Sequence, residues 1–431
     1  MLFAVDKAFV HIYNIISFCE RGISMGRPLE GIKVLDLTTF VAAPCTCRLL
    51  ADLGAEVIKI ERSSGDGWRY SAIAQRQDEF SMDENPVYDI YNAGKKHITL
   101  NLKSEEGKKI FKALLKQSDI FVTNTRLAAL KRLGISYEEI KGENSRLIYA
   151  MVEGFGEKGP ECNTGAYDTT AFWARCGMLN DLAVVHDDGS HIPIYPPSSV
   201  GDTATAYILL SEIITALYER EKTGKGQVVK AGLFHTGIFT FGTMQIVTQK
   251  PFGKVYPMKN YEHSIIAGAY MCADGRYVYI ATGVPNDTYI KLVGILGIDY
   301  LLNDSRFKDY NAASNHKKEF KSIVSEKILE KTRDEWLEIF KENDIASGVV
   351  NSFSDISEDE QAIANGYIED VTFRNGKTAK MPSCPFHIES LEGEDLSTHP
   401  AAPIGYNNGE VLSALGYTAE DIKRLKSEGV I

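Results

Sequence analysis

The sequence has few cysteines and no regular cysteine framework. Its seven cysteines are an odd number, and Cys45 and Cys47 are separated by one residue with no second pair behind them, which fits neither a disulfide scaffold nor a zinc site. We therefore expect free thiols in a reducing compartment. His186 and His191 lie in a polar loop and His235 stands alone in an apolar run, so we expect no metal site.

Basic residues are fewer than acidic residues, with 47 lysines and arginines against 58 aspartates and glutamates. The formal net charge of −11 argues against a sequence-independent nucleic-acid binder, although a few placed cations can still hold the phosphates of a small ligand. Residues 1–24 are apolar but interrupted by Asp6 and Lys7, and they match neither a signal peptide nor a membrane span. We interpret them as an N-terminal extension. We find no other segment of sufficient apolar length, and therefore expect no membrane partner and a cytoplasmic protein.

Strand and helix patterns alternate along the first half of the chain. Short apolar strands are predicted at 32–37, 56–61, 98–102, 120–123 and 147–152. Helices are predicted between them, for example at 44–53 and after the capping residue Ser104. This alternation predicts an α/β fold with an open parallel sheet. No G-x-G-x-x-G follows the first strand, so the dinucleotide-binding fingerprint is absent.

The second half has a different pattern. Asp274-Gly275 between two β-rich runs predicts a tight hairpin, and helices are predicted at 316–331 and 333–342. We expect a large α/β domain at 25–233, to which residues 400–431 return, and a smaller α+β domain at 258–345. Residues 234–257 and 346–399 are interpreted as linkers.

The most informative local feature is Gly201-Asp202-Thr203, at the start of a strong helical pattern that ends at Thr223-Gly224. An aspartate here can cap the helix by accepting a backbone N–H. It can instead present an ionised carboxylate to a substrate, with the glycine allowing close approach. The local pattern favours the cap and leaves both roles open.

Several segments, in this order and spacing, carry a family resemblance. They are residues 29–37, 53–62, 124–130, 154–160, the pair Gly201-Asp202, and the tail from Pro403 to Gly416. Together they resemble the family III CoA-transferases over about residues 28–431. Residues 83–86 and 167–177 are similar, within that family, to the enzymes that activate 2-hydroxy acids.

The resemblance implies that Asp202 is the nucleophile, which forms an acyl anhydride and then a CoA thioester. It implies a CoA thioester as substrate, with no permanently bound cofactor. A carboxylate is ionised near neutral pH, so no general base is expected. A helix N-terminus would help to hold Asp202 charged. With the family in view, we favour the catalytic role of Asp202 over the cap.

The resemblance also implies a set of ligand contacts. CoA contacts are expected at Arg62, Leu100, Lys103, Asn124, Thr125, Arg132 and Leu133. Arginine suits bidentate phosphate contacts and lysine point-charge neutralisation. Val41, Tyr167 and Asp168 match positions around the reacting carboxylates, although Asp168 could equally cap a helix.

The family implies an interlocked homodimer acting on an acyl-CoA and a small carboxylic acid, with a 2-hydroxyacyl-CoA dehydratase as downstream partner. Val41 stands where oxalate transferases have glutamine, which favours a larger, less polar acyl group. Tyr167 stands where related racemases have histidine, so the proton-transfer pair is incomplete. The alternatives are a racemase or epimerase, a transferase for carnitine, oxalate or a bile acid, and a non-catalytic nucleotide-binding protein.

Overall fold

The computed structural model describes residues 26–70, 81–186, 188, 190–252, 264–281, 285–391 and 398–431. The predicted N-terminal extension, residues 1–24, lies outside the described residues. The chain forms two compact units. The large unit contains the described residues up to Val247 together with Asn365–Ile431, and the small unit contains Thr248–Ala364.

Thirteen strands are present in the described part of the chain. They are β1 (Lys33–Leu37), β2 (Glu56–Glu61), β3 (Lys96–Thr99), β4 (Ile120–Thr123), β5 (Ile148–Glu153), β6 (Val184–Val185), β7 (His191–Ile192), β8 (Val228–Gly232), β9 (Gly268–Met271), β10 (Tyr277–Ile280), β11 (Ser347–Val350), β12 (Ile368–Thr372) and β13 (Thr378–Pro382).

The α-helices of the described residues are α1 (Ala42–Asp52), α2 (Pro86–Asn92), α3 (Glu105–Lys116), α4 (Leu127–Leu133), α5 (Tyr137–Ile140), α6 (Met178–Asp181), α7 (Val200–Thr223), α8 (Leu233–Thr240), α9 (Gly242–Val247), α10 (Pro285–Ile295), α11 (Tyr310–Ser314), α12 (Lys317–Ile328), α13 (Arg333–Glu342), α14 (Glu360–Ala364), α15 (Asn408–Ala414) and α16 (Ala419–Ser427). Asp168–Ala174 forms a π-helical segment.

The large unit is built on a six-stranded sheet in the order β3-β2-β1-β4-β5-β8, in which every neighbouring pair is parallel. The predicted α/β class with an open parallel sheet is therefore confirmed. The strand order reverses between β1 and β4, so this is the switch point at which ligands of open α/β sheets bind.

Apolar side chains cover both faces of this sheet. Alternate residues of one strand point to opposite faces, so Val34 joins the cluster under α1 and α7, and Leu35 joins the cluster under α3, α15 and α16. Both side chains are almost completely buried. A sheet covered on both faces explains why its strands read as continuous apolar runs rather than as alternating patterns.

Strand β3 is at the edge of the sheet, and the C-terminal tail covers it. The Asn407 side-chain oxygen accepts the His97 N–H at 2.8 Å, and the Asn408 side-chain oxygen accepts the Thr99 N–H at 2.8 Å. The tail therefore pairs backbone groups that an open edge would leave free. The observed strand is Lys96–Thr99, so it begins and ends earlier than the predicted 98–102.

The small unit contains an antiparallel sheet in the order β11-β10-β9, with α10 to α13 in the same unit. The Asp274-Gly275 hairpin is confirmed: β9 and β10 pair antiparallel, and Gly275 has a φ of +74°. A residue with a Cβ rarely adopts this left-handed conformation, which accounts for the glycine.

Both segments interpreted as linkers carry regular structure. Residues 234–257 include most of α8, and α8 packs on the π-helical segment of the large unit. Residues 346–399 supply β11 to the small sheet, and β12 and β13 form a hairpin in the large unit. The strand residues of these segments are interrupted by polar turns, which hides them from a pattern search.

Helix α7 is long and apolar enough to cross a membrane by length and composition alone, which the sequence reading did not foresee. Its apolar residues lie on two sides. Leu209, Ile213 and Leu217 are buried against the sheet, whereas Ile214 and Tyr218 are exposed. Part of its apolar character therefore comes from the side that faces the core, which is typical of a helix packed inside a large domain.

Candidate active site

A cavity of about 350 Å³ opens at the carboxyl edge of the parallel sheet, at the ends of β1, β4 and β5. Its lining residues are Phe40, Val41, Ala42, Asn124, Arg126, Leu127, Met151, Val152, Glu153, Gly154, Gly156, Glu157, Cys162, Asn163, Thr164, Ala166, Tyr167, Asp202 and Leu233. The cavity therefore occupies the switch point of the sheet, and it brings together the predicted site residues Val41, Asn124, Tyr167 and Asp202.

Asp202 lies in the first turn of α7, and its side chain lines the cavity. The residue at the N-cap position is Ser199, which has a φ of +72°. No hydrogen bond joins the Asp202 carboxylate to another of the described residues, so the cap interpretation of Asp202 is wrong. A carboxylate that faces a cavity without protein partners is available to a ligand.

Burial and, to a smaller extent, the negative charge of Asp168 raise the pKa of Asp202 to about 7. This corrects the expectation that Asp202 is fully ionised at neutral pH. The helix N-terminus does not overcome the loss of hydration here. A buried carboxylate with few hydrogen bonds is also a stronger nucleophile than a well-solvated one.

Asp168 fixes the position of the helix that carries Asp202. Its Oδ1 accepts the Gly201 N–H at 2.9 Å, and the side chain is buried. Asp168 therefore caps a helix, but this helix is α7 and not its own π-helical segment, whose N-cap is Tyr167. Burial raises the pKa of Asp168, and the Gly201 N–H partly offsets this rise.

Gly201 is required by packing at this contact. A Cβ built on Gly201 would overlap the Phe172 ring and Asp168 Oδ1. The glycine therefore lets the start of α7 approach the π-helical segment closely. The sequence reading had assigned the glycine to the approach of a substrate; the structure shows that it accommodates Asp168 and Phe172.

The loop after β1 forms a second wall of the cavity. Phe40 has a φ of +66°, which is unusual for a bulky residue, and its N–H donates to Asp66 Oδ1 at 3.0 Å. Lys59 Nζ donates to the Thr38 carbonyl at 2.9 Å and pairs with Asp66 Oδ2 at 3.0 Å. Buried charges thus hold the loop in a conformation that it would not adopt alone.

These charges belong to a larger buried cluster beneath the loop. Arg69 makes two hydrogen bonds of 2.9 Å to the Glu61 carboxylate, and His97 Nδ1 lies 2.8 Å from Glu61 Oε2. The Lys95 Nζ lies 2.9 Å from Asp36 Oδ2. Because each buried charge has an opposite partner, removal of any one would leave another uncompensated.

Of the predicted substrate-site residues, Val41 lies in the loop after β1, and Tyr167 packs against this loop. The Tyr167 ring meets the Phe40 ring edge-to-face, with centroids 5.7 Å apart. Val41 is buried, whereas Tyr167 is largely exposed. The side of the cavity nearest the β1 loop is therefore mostly apolar, as the valine in place of glutamine suggests.

The predicted CoA contacts follow the carboxyl ends of adjacent strands. Arg62 follows β2, Lys103 follows β3 and Arg132 lies in α4 after β4; all three are exposed, and none forms an ion pair with another described residue. The Asn124 side chain joins β4 to the β1 loop, because it donates to the Thr39 carbonyl at 2.7 Å and accepts the Thr39 N–H at 3.0 Å.

The remaining predicted contacts differ in accessibility. Thr125 and Leu133 are half-buried, and the Thr125 N–H donates to Thr123 Oγ1 at 3.1 Å. Leu100 is 3% exposed within the core cluster under α3, so the structure does not bring its side chain to the surface. Of the seven predicted CoA contacts, only Asn124 lines the cavity.

Sequence reasoning missed several lining residues. Arg126 lies in the quoted motif 124–130, yet it was not assigned a role. Glu153 is the last residue of β5 and would have been found by the rule applied to Arg62, that ligands gather where parallel strands end. Phe40 carries no signal in the sequence, because only the backbone conformation directs its ring to the cavity.

We expect Gly201→Ala to disrupt the site. The added methyl group must displace the Phe172 ring or break the hydrogen bond from the Gly201 N–H to Asp168 Oδ1. The free energy of unfolding should fall by about 1–3 kcal/mol, the range for an overpacked core or a broken buried hydrogen bond. Urea unfolding of both proteins measures it. Gly294→Ala is the matched control, because a Cβ there meets nothing within 4 Å in helix α10. An equal effect in both variants would contradict this account.

We expect Asp202→Asn to stabilise the protein above pH 7. The folded pKa of about 7 exceeds the reference value of 3.8, so the folded state keeps a proton that the unfolded state releases between these values. Wild-type stability therefore falls as pH rises through this window, and asparagine removes the penalty. The variant should be more stable by about 1–3 kcal/mol at pH 8.

Thermal or urea unfolding at pH 4 and pH 8 measures this difference. The stability advantage of the asparagine variant should be much smaller at pH 4, because this pH lies close to the unfolded-state pKa of 3.8, where the unfolded wild type also keeps much of the proton. A constant difference at all pH values would show that the effect is not titration of Asp202.

Comparison with known proteins agrees with this geometry. The model of CoA-transferase family III matches residues 29–405. The (R)-2-hydroxy-4-methylpentanoate CoA-transferase of Clostridioides difficile is 37% identical over 404 residues, 94% of this chain and 99% of that protein. Cinnamoyl-CoA:phenyllactate CoA-transferase of Clostridium sporogenes is 35% identical, over 93% of this chain and 96% of the relative.

A solved structure shows the same fold. The crystal structure of a CaiB/BaiF family protein from Brucella suis superposes with a TM-score of 0.77 at 26% identity, and covers 91% of this chain and all of that one. The resemblance inferred from the ordered motifs, including its 2-hydroxy acid subgroup, is confirmed. The chain is an enzyme that belongs to CoA-transferase family III.

Proposed function

We propose that the protein moves CoA from an acyl-CoA to a free 2-hydroxy carboxylic acid, through covalent intermediates on Asp202. The observation that carries the proposal is the Asp202 carboxyl group, which faces the cavity with no hydrogen-bond partner among the described residues and with a pKa of about 7. The Asp202 carboxyl group is therefore partly ionised near neutral pH and poorly solvated, and both properties suit a carboxylate nucleophile.

The proposed reaction has four balanced steps. The Asp202 carboxylate attacks the thioester carbonyl of the donor, which gives a mixed anhydride and CoA thiolate. The thiolate attacks the Asp202 carbonyl of the anhydride, which gives an aspartyl-CoA thioester and the donor carboxylate. The acceptor carboxylate attacks this thioester, which forms a second anhydride and releases thiolate again. The thiolate then attacks the acceptor carbonyl and regenerates the Asp202 carboxylate.

Exclusion of water preserves the energy of the thioester during these steps. The buried wall formed by Val41, Met151, Val152 and Leu233 supports this requirement. Asp168 acts as a positioning residue, because it holds the turn of α7 that carries the nucleophile. Asn124 ties the β1 loop to the end of β4 and so keeps the opposite wall in place.

The free cations at the carboxyl edge support a CoA site. Arg62, Lys103 and Arg132 have no ion-pair partner among the described residues, whereas Lys96, Lys112 and Arg306 at other surfaces pair with carboxylates. Arg126 adds a fourth such cation at the cavity itself. Phosphate oxygens of CoA are natural partners for cations left without carboxylates.

The substrate class rests on two observations. The relatives named above act on 2-hydroxy-4-methylpentanoate and phenyllactate, both 2-hydroxy acids with apolar side chains. The cavity has an apolar side that would accept such a side chain. No histidine stands among the described residues that line the cavity. This disfavours a racemase, because racemisation needs one group that removes the α-proton and a second group that returns a proton to the other face.

The wider assignments are also proposals. We propose a cytoplasmic homodimer that supplies 2-hydroxyacyl-CoA to a dehydratase. Free cysteines at all six described positions fit a reducing compartment. An exposed apolar face on α7 and α8, formed by Tyr207, Ile208, Ile214, Tyr218 and Phe239, fits an interface with a second copy.

Sedimentation at micromolar concentration tests the dimer. We expect one species of twice the chain mass, and we expect Ile214→Glu with Tyr218→Glu to shift it towards the monomer, because a charge in an apolar interface loses its hydration. A wild-type monomer at every concentration tested would refute the dimer.

The covalent intermediate gives the direct test of the function. Wild-type protein mixed with 2-hydroxy-4-methylpentanoyl-CoA or cinnamoyl-CoA should carry a CoA adduct on the peptide that contains Asp202, sensitive to hydroxylamine and borohydride. Its rate of formation should rise with pH and level off above about 7, as Asp202 ionises. Asp202→Asn should lower exchange on the order of 10⁴-fold.

The controls separate this mechanism from the alternatives. Asp188→Asn changes an exposed loop carboxylate and should leave exchange unchanged. A panel of lactate, phenyllactate, oxalate, carnitine and a bile acid as acceptors identifies the substrate class. Solvent deuterium at the α-carbon without an acceptor would instead establish a racemase, and undiminished exchange in Asp202→Asn would refute the proposed nucleophile.

A further inference from the structure

Glu153 occupies a place in the cavity that the four-step mechanism does not use. It is the last residue of β5, its main chain is in register with Gly232 of β8, and the Gly154 carbonyl accepts the Phe234 N–H at 3.0 Å. The backbone is therefore fixed on both sides. The Glu153 side chain is 14% exposed and lines the cavity.

The end of β5 touches the wall that carries the nucleophile. A Cβ built on Gly154 would overlap the Ala166 Cβ, so the residue after Glu153 packs directly on the chain leading into Tyr167 and Asp168. The Asp168 side chain accepts a hydrogen bond from the N–H of Gly201, which precedes Asp202 in the chain. Glu153 and Asp202 therefore line the same cavity, and packed contacts connect the segments that carry them.

The Glu153 carboxylate has unused capacity to accept hydrogen bonds. Its one ion pair among the described residues is loose, with Lys230 Nζ at 4.0 Å, and Lys230 is closer to Glu157. No hydrogen bond from another described residue reaches the Glu153 carboxylate. Burial raises its pKa, and Lys230 partly offsets this rise. A ligand hydroxyl in the cavity could therefore donate to this largely buried carboxylate.

Several other polar groups of the cavity are less suited to this role. Both ends of the Asn124 side chain are occupied by Thr39. Cys162, Asn163 and Thr164 lie in an exposed loop. Glu153 instead follows the apolar residues Met151 and Val152 on β5. A ligand whose apolar side chain rests on this strand would bring a nearby hydroxyl group towards the Glu153 carboxylate.

We propose that Glu153 accepts a hydrogen bond from the 2-hydroxyl of the acceptor acid and so selects 2-hydroxy acids over acids that lack this group. The inference rests on the proposed function and names a specificity-determining residue for it. A hydroxyl donor to a carboxylate makes a charge-assisted bond. An acid without the hydroxyl leaves the Glu153 carboxylate without this donor, and such mismatches are penalised.

The covalent mechanism allows the two halves of the reaction to be measured separately. The wild-type protein is first charged with CoA on Asp202 from an enoyl-CoA such as cinnamoyl-CoA, which has no 2-hydroxyl. The charged protein is then mixed with phenyllactate or with 3-phenylpropanoate, which differ only in the hydroxyl group. Disappearance of the adduct and appearance of the new thioester are followed by mass spectrometry.

In the wild type we expect phenyllactate to discharge the adduct faster than 3-phenylpropanoate. In Glu153→Met this preference should fall about 10–100-fold, through loss of the phenyllactate rate, with the rate of charging unchanged. Glu153→Gln keeps a carbonyl acceptor and should fall between the two. A purely structural role for Glu153 would instead lower charging and both discharge rates together.

Glu212→Met is the matched control. Glu212 is also a half-buried glutamate with a pKa raised by burial, to about 7, but it lies on α7 outside the residues that line the cavity. It should leave the preference unchanged. An unchanged preference in both Glu153 variants overturns this inference alone. Failure of the wild type to form any adduct overturns the proposed function itself, so the two failures are distinguishable.

Discussion

The site depends on the hydrogen bond that the Gly201 N–H donates to Asp168 Oδ1. This contact joins the π-helical segment to the first turn of α7, and it sets where Asp202 stands relative to the cavity. It has an electrostatic consequence as well, because the charge of Asp168 helps to raise the pKa of Asp202. One carboxylate thus positions the helix and tunes the other carboxylate.

The opposite wall depends on buried charge. The Phe40 backbone is strained. The loop keeps this conformation because Asp66 accepts the Phe40 N–H and Lys59 donates to the Thr38 carbonyl. Buried ion pairs contribute little net stability compared with apolar residues of similar volume, so geometry is the better account of this cluster. The proposed nucleophile on one side and a fixed loop on the other would give a preformed site, which limits the reorganisation needed during reaction.

Much of the large unit followed from the sequence. The strands at 56–61 and 120–123 coincide with the predicted bounds, because apolar runs between turn residues have few alternatives in a parallel sheet. The Ser104 cap also forms as predicted, because it is a local interaction: its hydroxyl accepts the Gly107 N–H at 3.0 Å. The order of motifs identified the family, and the resemblance gave Asp202 and the cations at the ends of the strands as candidate site residues.

Other features depended on contacts between residues distant in the chain. The sequence alone determined the α/β class, the short-range caps and turns, and the family, because these follow from local pattern and motif order. Only the tertiary structure decided that Asp168 caps α7, that Gly201 makes room for Phe172, that Leu100 is buried and that Glu153 faces the cavity. The protonation of Asp202 belongs to this second group, since burial and a charge 34 positions away in the sequence set its pKa.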